Sequence, residues 1–229
     1  MPGETFGSNK PYIYIIEGVL KQNASETTPR AERRDYELKN GTKGTKYEIS
    51  YKSWTGKIQD LIVKKGKYGE MLEVEFDDAI FTIGTESRYF KDFVQKLASA
   101  NVNRPITISP YAFESNGKPL KGVTIYQDGE KLKSWYWDDG IGEKGAYCNG
   151  FPKPKGDVSK FNEDDWKVYY IGVKKFLIQE LDDIKNELAF SDEATQPEPM
   201  EDIPTIEETP EIAEVNDDEV TVGGEKVPF

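Results

Sequence analysis

The stretch KIQDLIVKKGKYGEMLEVEF, residues 57–76, decides how this chain is read. Two runs rich in apolar and β-branched residues flank a Lys-Gly-Lys-Tyr-Gly turn, the pattern of two paired strands. Toward the N-terminus, YIYIIEGVL (12–20) and YEISYKSW (47–54) have the same β-branched and aromatic character, and each predicts a strand. Toward the C-terminus AIFTIG (79–84) adds another, and then the period changes. In SRYFKDFVQKLASAN (87–101), Phe90, Phe93, Val94 and Leu97 share one helical face behind Ser87, a residue suited to capping a helix. PITISPYAF, GVTIYQ and EKLKSWYW return to strands, the last two joined by the turn Asp128-Gly129.

Strands, one short helix and more strands, with glycines at the bends, predict a mainly β protein. The expected architecture over residues 1–160 is an OB-type Greek-key barrel with one inserted helix. Beyond it, Trp166, Tyr170, Val173, Leu177, Leu181, Ile184 and Leu188 recur every three or four residues. Asn162 stands as an N-cap with acids behind it, so residues 161–190 predict a long amphipathic helix packed on the body. Self-association through that helix is the alternative. From Ser191 the composition turns to prolines and acids, with no aromatic until Phe229. Such a segment buries too little apolar surface to offset its conformational entropy, and residues 191–229 predict a disordered acidic tail.

The 229 residues carry a net charge of -12, and all of it falls in that tail, which has 13 acids and one lysine. The remainder is neutral, so the body is not repelled from phosphate. Histidine is absent and Cys148 is the sole cysteine, which excludes an internal disulfide and Cys/His metal clusters. Neither a phosphate-binding Gly-x-x-x-x-Gly-Lys nor a Gly-x-Ser-x-Gly elbow occurs. The carboxylate pairs Asp138-Asp139 and Asp164-Asp165 fall in a Gly-rich loop and a first helical turn, poor places for a metal-dependent nuclease. We therefore expect no catalysis, no cofactor and no metal. No apolar run reaches the roughly 20 residues of a membrane span. The N-terminus lacks a secretion signal, so we expect a cytoplasmic protein with no membrane partner.

The stretch EKLKSWYW is the most informative for function. As a strand it would place Lys131, Lys133, Trp135 and Trp137 on one face and Leu132 and Tyr136 on the other. Two ammonium groups followed by two indoles suit single-stranded nucleic acid, whose bases stack on rings while phosphates meet charges. Alternatively, one indole caps the core edge and the rest is ordinary surface. Ile106 and Ile108 set the core parity of their strand and leave Tyr111 and Phe113 on the opposite face. The hairpin loop clusters Lys64, Lys65, Lys67 and Tyr68, and Lys52 and Trp54 share a face at the end of an earlier strand. Singly, each of these is a solvated lysine or a core aromatic; together they predict a DNA-binding sheet.

An aromatic, lysine-studded β-domain followed by an acidic tail resembles the single-stranded DNA-binding proteins of bacteria and their phages. The tail tip carries the closest match, with Asp217, Asp218 and Glu219 ahead of Val227, Pro228 and Phe229. That resemblance implies coating of single-stranded DNA during replication, recombination and repair. It also implies capture of replication or recombination proteins by Val227, Pro228 and Phe229, a terminal ring and carboxylate entering a partner's pocket. Homo-oligomers are common in that family. An RNA-binding OB protein and a tail-bearing protein scaffold are the alternatives.

Overall fold

The computed structural model describes residues 10–37, 40–66, 69–141 and 145–193. The predicted strand 12–20 is instead a hairpin, β1 (Tyr12–Ile16) and β2 (Val19–Ala24), with Ile16 paired to Val19. Glu17 and Gly18 turn the chain with φ of 49° and 78°. Two positive-φ residues make the two-residue turn whose twist matches a hairpin. β3 (Glu32–Glu37) and β4 (Lys43–Tyr51) extend this sheet outward, β4 lying between β3 and β2. β3, ERRDYE, was not expected as a strand because it has no apolar alternation. Its pairing to β4 is supplied by backbone and cross-strand polar contacts, such as Thr45 to Asp35 at 2.7 Å.

The predicted strand 47–54 breaks at Lys52–Ser53, where the chain changes sheets. β5 (Trp54–Gly56) joins the second sheet, and β6 (Ile58–Gly66) returns to the first after one intervening residue. Gly56 sits at this bend against Phe76 and Asp77, with no room for a side chain: a Cβ would come 2.9 Å from both. β6 then meanders into β7 (Gly69–Phe76) and β8 (Ile80–Gly84), as the quoted stretch predicts. β8 pairs in parallel with β1, completing a seven-stranded sheet in the order β3-β4-β2-β1-β8-β7-β6.

Helix α1 (Arg88–Leu97) follows, with Ser87 accepting the Phe90 N–H as its cap and Phe90, Phe93, Val94 and Leu97 buried, as expected. β9 (Ile106–Ser115) and β10 (Lys118–Gln127) form a long hairpin, and β5 pairs to the far side of β9. Two residues, β11 (Glu130–Lys131), complete this four-stranded sheet. Here a third prediction fails. Residues 130–137 do not form one strand, because the chain leaves the sheet after Lys131 and runs along α1, where the Trp135 N–H bonds to the Gln95 carbonyl at 2.9 Å. It then forms the small ribbon β12 (Trp137–Asp138) and β13 (Ala146–Tyr147).

The fold is mixed α/β and made mostly of strands, in three open sheets with two helices, rather than the expected mainly β barrel: the described residues form no closed barrel. One reason lies at Val123, which stands opposite Pro110 at a position of the antiparallel ladder where the paired residues exchange no hydrogen bonds. The Val123 N–H and carbonyl therefore point away from β9, and α1 takes both, the first through Asp92 at 2.6 Å and the second through Lys96. The helix thus occupies an edge that another strand would need in order to close the barrel.

Helix α2 (Glu163–Glu193) begins where predicted, with the Asn162 side chain accepting the N–H groups of Asp164 and Asp165. It runs past Ser191, so the first three residues assigned to the tail belong to the helix. Val173, Leu177, Leu181, Ile184 and Leu188 are buried in the common core with Phe76, Phe81, Phe90 and Phe93. Lys185 fixes the helix to β6 by an ion pair with Asp60 at 2.6 Å and a bond to the Leu61 carbonyl at 3.3 Å. Residues 194–229, and with them the predicted tip, lie outside the described residues.

Candidate nucleic-acid interface

The hairpin β9–β10 has one face for the core and one for the outside, and the register sorts its residues. Ile106, Ile108, Val123 and Ile125 point inward and are fully buried. The alternate positions Thr107, Ser109, Tyr111 and Phe113 face outward, opposite Tyr126, Thr124, Gly122 and Leu120. The core parity predicted for Ile106 and Ile108 therefore holds, and Pro110 does not shift it. Thr55 of β5 joins the same outer row through its hydroxyl, 2.8 Å from that of Thr107. Lys131 extends the row at the other side, paired to Tyr126, and Lys118 stands opposite Ser115 near the hairpin tip.

Tyr111 and Phe113 form the centre of this face, with ring centroids 5.7 Å apart and planes tilted by 37°. Phe113 is 55% exposed, so its ring is not a core element. Tyr111 reaches across Gly122 to Asp92 on α1. Burial, and then the neighbouring carboxylate, push its hydroxyl pKa upward, so it stays neutral. The Lys96 ammonium lies 5.9 Å from the Tyr111 ring centroid, a cation over a π-face. Together these provide an exposed ring, a second ring held from behind, and hydroxyls and ammonium groups around them.

The structure scatters the other predicted site residues. Lys131 belongs to the outer face, but Lys133, Trp135 and Trp137 lie beyond the sheet, so the stripe of lysines and indoles does not form. Tyr136 is buried between Phe151 and Phe176, at 5.5 and 5.3 Å. Trp135 and Trp137 are both exposed, the Trp137 indole donating to Asp139 at 2.8 Å and meeting Tyr147 edge-on. Trp54 is wedged against Tyr51 and Phe81, its indole N–H bonded to Asp78 at 3.0 Å. Lys52 is exposed in the bend before it, near Ser109, whose hydroxyl points at the Lys52 carbonyl. In the β6–β7 hairpin Lys64 pairs with Glu73 at 2.6 Å and Lys65 is exposed, while Lys67 and Tyr68 lie outside the described residues.

Lys118, Leu120 and Tyr126 join this face without having been expected there from the sequence. Extending the strand of β10 back to Lys118 by the hairpin register would have placed all three beside Phe113 and Thr107. Among the described residues no group of acidic, histidine or cysteine side chains is arranged to hold a metal ion, and no helix is long and apolar enough to cross a membrane. No family model, curated protein or solved structure matches this chain.

Proposed function

We propose that this protein binds single-stranded DNA without sequence preference, through the outer face of β9 and β10. The observation that carries this reading is the Tyr111–Phe113 ring pair, displayed on a face with Leu120, the hydroxyls of Thr107, Ser109 and Thr124, and Lys118 and Lys131 at its margins. An exposed phenyl ring gains nothing from solvent, but every base offers it a π-face at about 1–3 kcal/mol per stacked base. The lysines around it supply the salt-dependent attraction to phosphate.

The strand plan supports the same reading. A bent strand shared by two sheets (β5 and β6), a meander (β7, β8), a helix and a hairpin returning to the shared strand follow the order of an OB fold. In this reading β1 lies on β8, and α1 caps β10, in place of the pairing that would close the barrel. Loops of such folds bind single strands. The acidic segment after α2 would recruit replication or recombination proteins, with Val227, Pro228 and Phe229 as the contact.

The test is fluorescence anisotropy with labelled oligo-dT across a salt series, with oligo-dT, oligo-rU and duplex as competitors. Binding that weakens with salt and yields to oligo-dT before the others is expected. Failure to bind oligo-dT would overturn the proposal, and preference for oligo-rU would redirect it to RNA.

A further inference from the structure

A cleft of about 670 Å³ opens between α1, α2 and the outer edge of β10. Its walls include Arg88, Gln95, Tyr111, Lys121, Tyr170 and Lys174. The volume lies inside the range of roughly 300–1,000 Å³ in which small ligands are held. Three features give the cleft a chemical direction.

The first is uncompensated positive charge at one end. Among the cleft's ionic side chains, Lys174 is engaged by Glu70 and Glu86, and Asp92 by Lys96 and the Val123 N–H. Lys91 lies over the Tyr147 and Phe151 rings and bonds the Tyr147 hydroxyl at 3.0 Å. Arg88 makes one long bond to the Pro119 carbonyl, 3.3 Å, and Lys121 has no ion pair among the described residues. Both stand near the N-terminal end of α1, where the helix dipole also favours an anion. The second feature is Tyr170, whose ring, stacked with Trp166 at 5.9 Å, is 56% exposed and lines the cleft. The third is Gln95, only 6% exposed, whose amide nitrogen has no hydrogen-bond partner among the described residues. An unpaired buried amide is costly to the fold, and a ligand's polar edge can satisfy it. Arg88 and Gln95 are seven positions apart on α1, roughly 10 Å along its axis. The anionic and amide ends of the cleft are therefore separate.

An anion site, a flat ring and a buried amide at the far end match the phosphate, face and edge of a nucleotide. We infer that one nucleotide unit of the bound strand enters this cleft, with its phosphate at Arg88 and Lys121 and its base laid on Tyr170. The inference rests on the proposed single-strand binding, and Tyr111 makes the path continuous, since it belongs both to the ring pair and to the cleft wall. It gives α2 a role beyond packing, as one jaw of the strand's path.

The test uses full-length protein and oligo-dT carrying 5-iodouracil, irradiated and mapped by mass spectrometry, beside affinity measurements on variants. Cross-linking at Tyr170 is expected. Tyr170→Ala should weaken oligo-dT binding roughly five- to 150-fold, the loss of one stacked base. Arg88→Ala with Lys121→Ala should lower the slope of log K against log[salt] by about 0.7 for one phosphate contact. If both variants bind oligo-dT as the wild type does and cross-links map to Phe113 alone, the cleft is overturned and the hairpin face stands. If the wild type does not bind oligo-dT, both fall together.

Discussion

The hydroxyl of Tyr111 meets the carboxylate of Asp92 over the bare Cα of Gly122, so the inserted helix holds one ring of the exposed pair in place. A methyl at Gly122 would collide with both groups. Asp92 has little freedom to retreat, because the same oxygen accepts the Val123 N–H at 2.6 Å and the Lys96 ammonium at 2.8 Å. Gly122→Ala should therefore displace Tyr111, costing about 1–3 kcal/mol in a urea titration and weakening oligo-dT binding. A variant that is destabilised but binds normally would separate Tyr111 from the DNA surface.

Phe113 offers a cleaner test of stacking, because an exposed ring contributes little to the core. Phe113→Ala should leave the thermal midpoint nearly unchanged and reduce oligo-dT affinity by about 1–3 kcal/mol. Trp135→Ala serves as the comparison, being similarly exposed at a place the chain reaches after leaving the sheet. Titration of both variants with oligo-dT should show the larger loss for Phe113. The reverse order would move the binding surface to the C-terminal end of α1.

Gly18 should be far less replaceable than Gly117. Both have positive φ, 78° and 69°. A Cβ on Gly117 meets open space, whereas one on Gly18 would strike the Ala112 backbone of β9. Gly117→Ala should cost about 1 kcal/mol for its backbone conformation, and Gly18→Ala at least about twice that. Denaturant midpoints of the two variants compare them directly. Equal costs would mean that the β1–β2 turn does not press on β9.

Glu48 predicts an acid limit to stability. The residue is 1% exposed, and Arg34 binds it through two N–H groups at 2.7 and 2.8 Å, with the Tyr14 hydroxyl at 2.7 Å. Arg34 hydrogen bonding, opposed by burial and aided by Tyr14, lowers the Glu48 pKa from 4.5 to about 2. A depressed carboxylate stabilises the fold fully above its unfolded pKa, near 4.5, and that contribution, up to about 3 kcal/mol, drains away as pH falls toward about 2. Stability measured between these pH values should decline in the wild type and decline less in Glu48→Gln. Parallel profiles would place the acid sensitivity elsewhere.

Legibility in the sequence followed the strength of local periodicity. The 57–76 hairpin, α1 with its Ser87 cap, the inward parity of Ile106 and Ile108, and the apolar stripe of α2 from Val173 to Leu188 all carry repeated spacing that burial enforces, whereas Tyr170, of the same spacing, is exposed. β3 was invisible because a strand held by polar cross-strand contacts has no hydrophobic alternation to detect. The 12–20 hairpin reads as one strand in sequence because Glu17 occupies a positive-φ position that residues of its type seldom take. At the candidate site, Tyr111 and Phe113 were legible because their parity is set by neighbouring isoleucines. The stripe around Trp135 was not: its alternation fits a strand, yet the edge it would have joined is held by Asp92 and Lys96, forty residues earlier in the chain. Such long-range competition leaves no mark on local spacing.

The charged sequence of β3 has a consequence for how copies of this protein meet one another. A sheet edge with unpaired backbone groups is a template for another chain. At one end of the seven-stranded sheet α2 binds the β6 backbone through Lys185, and in the other sheet α1 satisfies Val123 of β10. β3 forms the remaining end of the large sheet, with Arg33 and Asp35 joined at 3.1 Å along it. An incoming strand would have to align its own side chains against five charged positions of both signs in six residues. That mixture discourages indiscriminate edge-to-edge growth, so copies of this chain held at high local concentration have no ready strand edge there to build on.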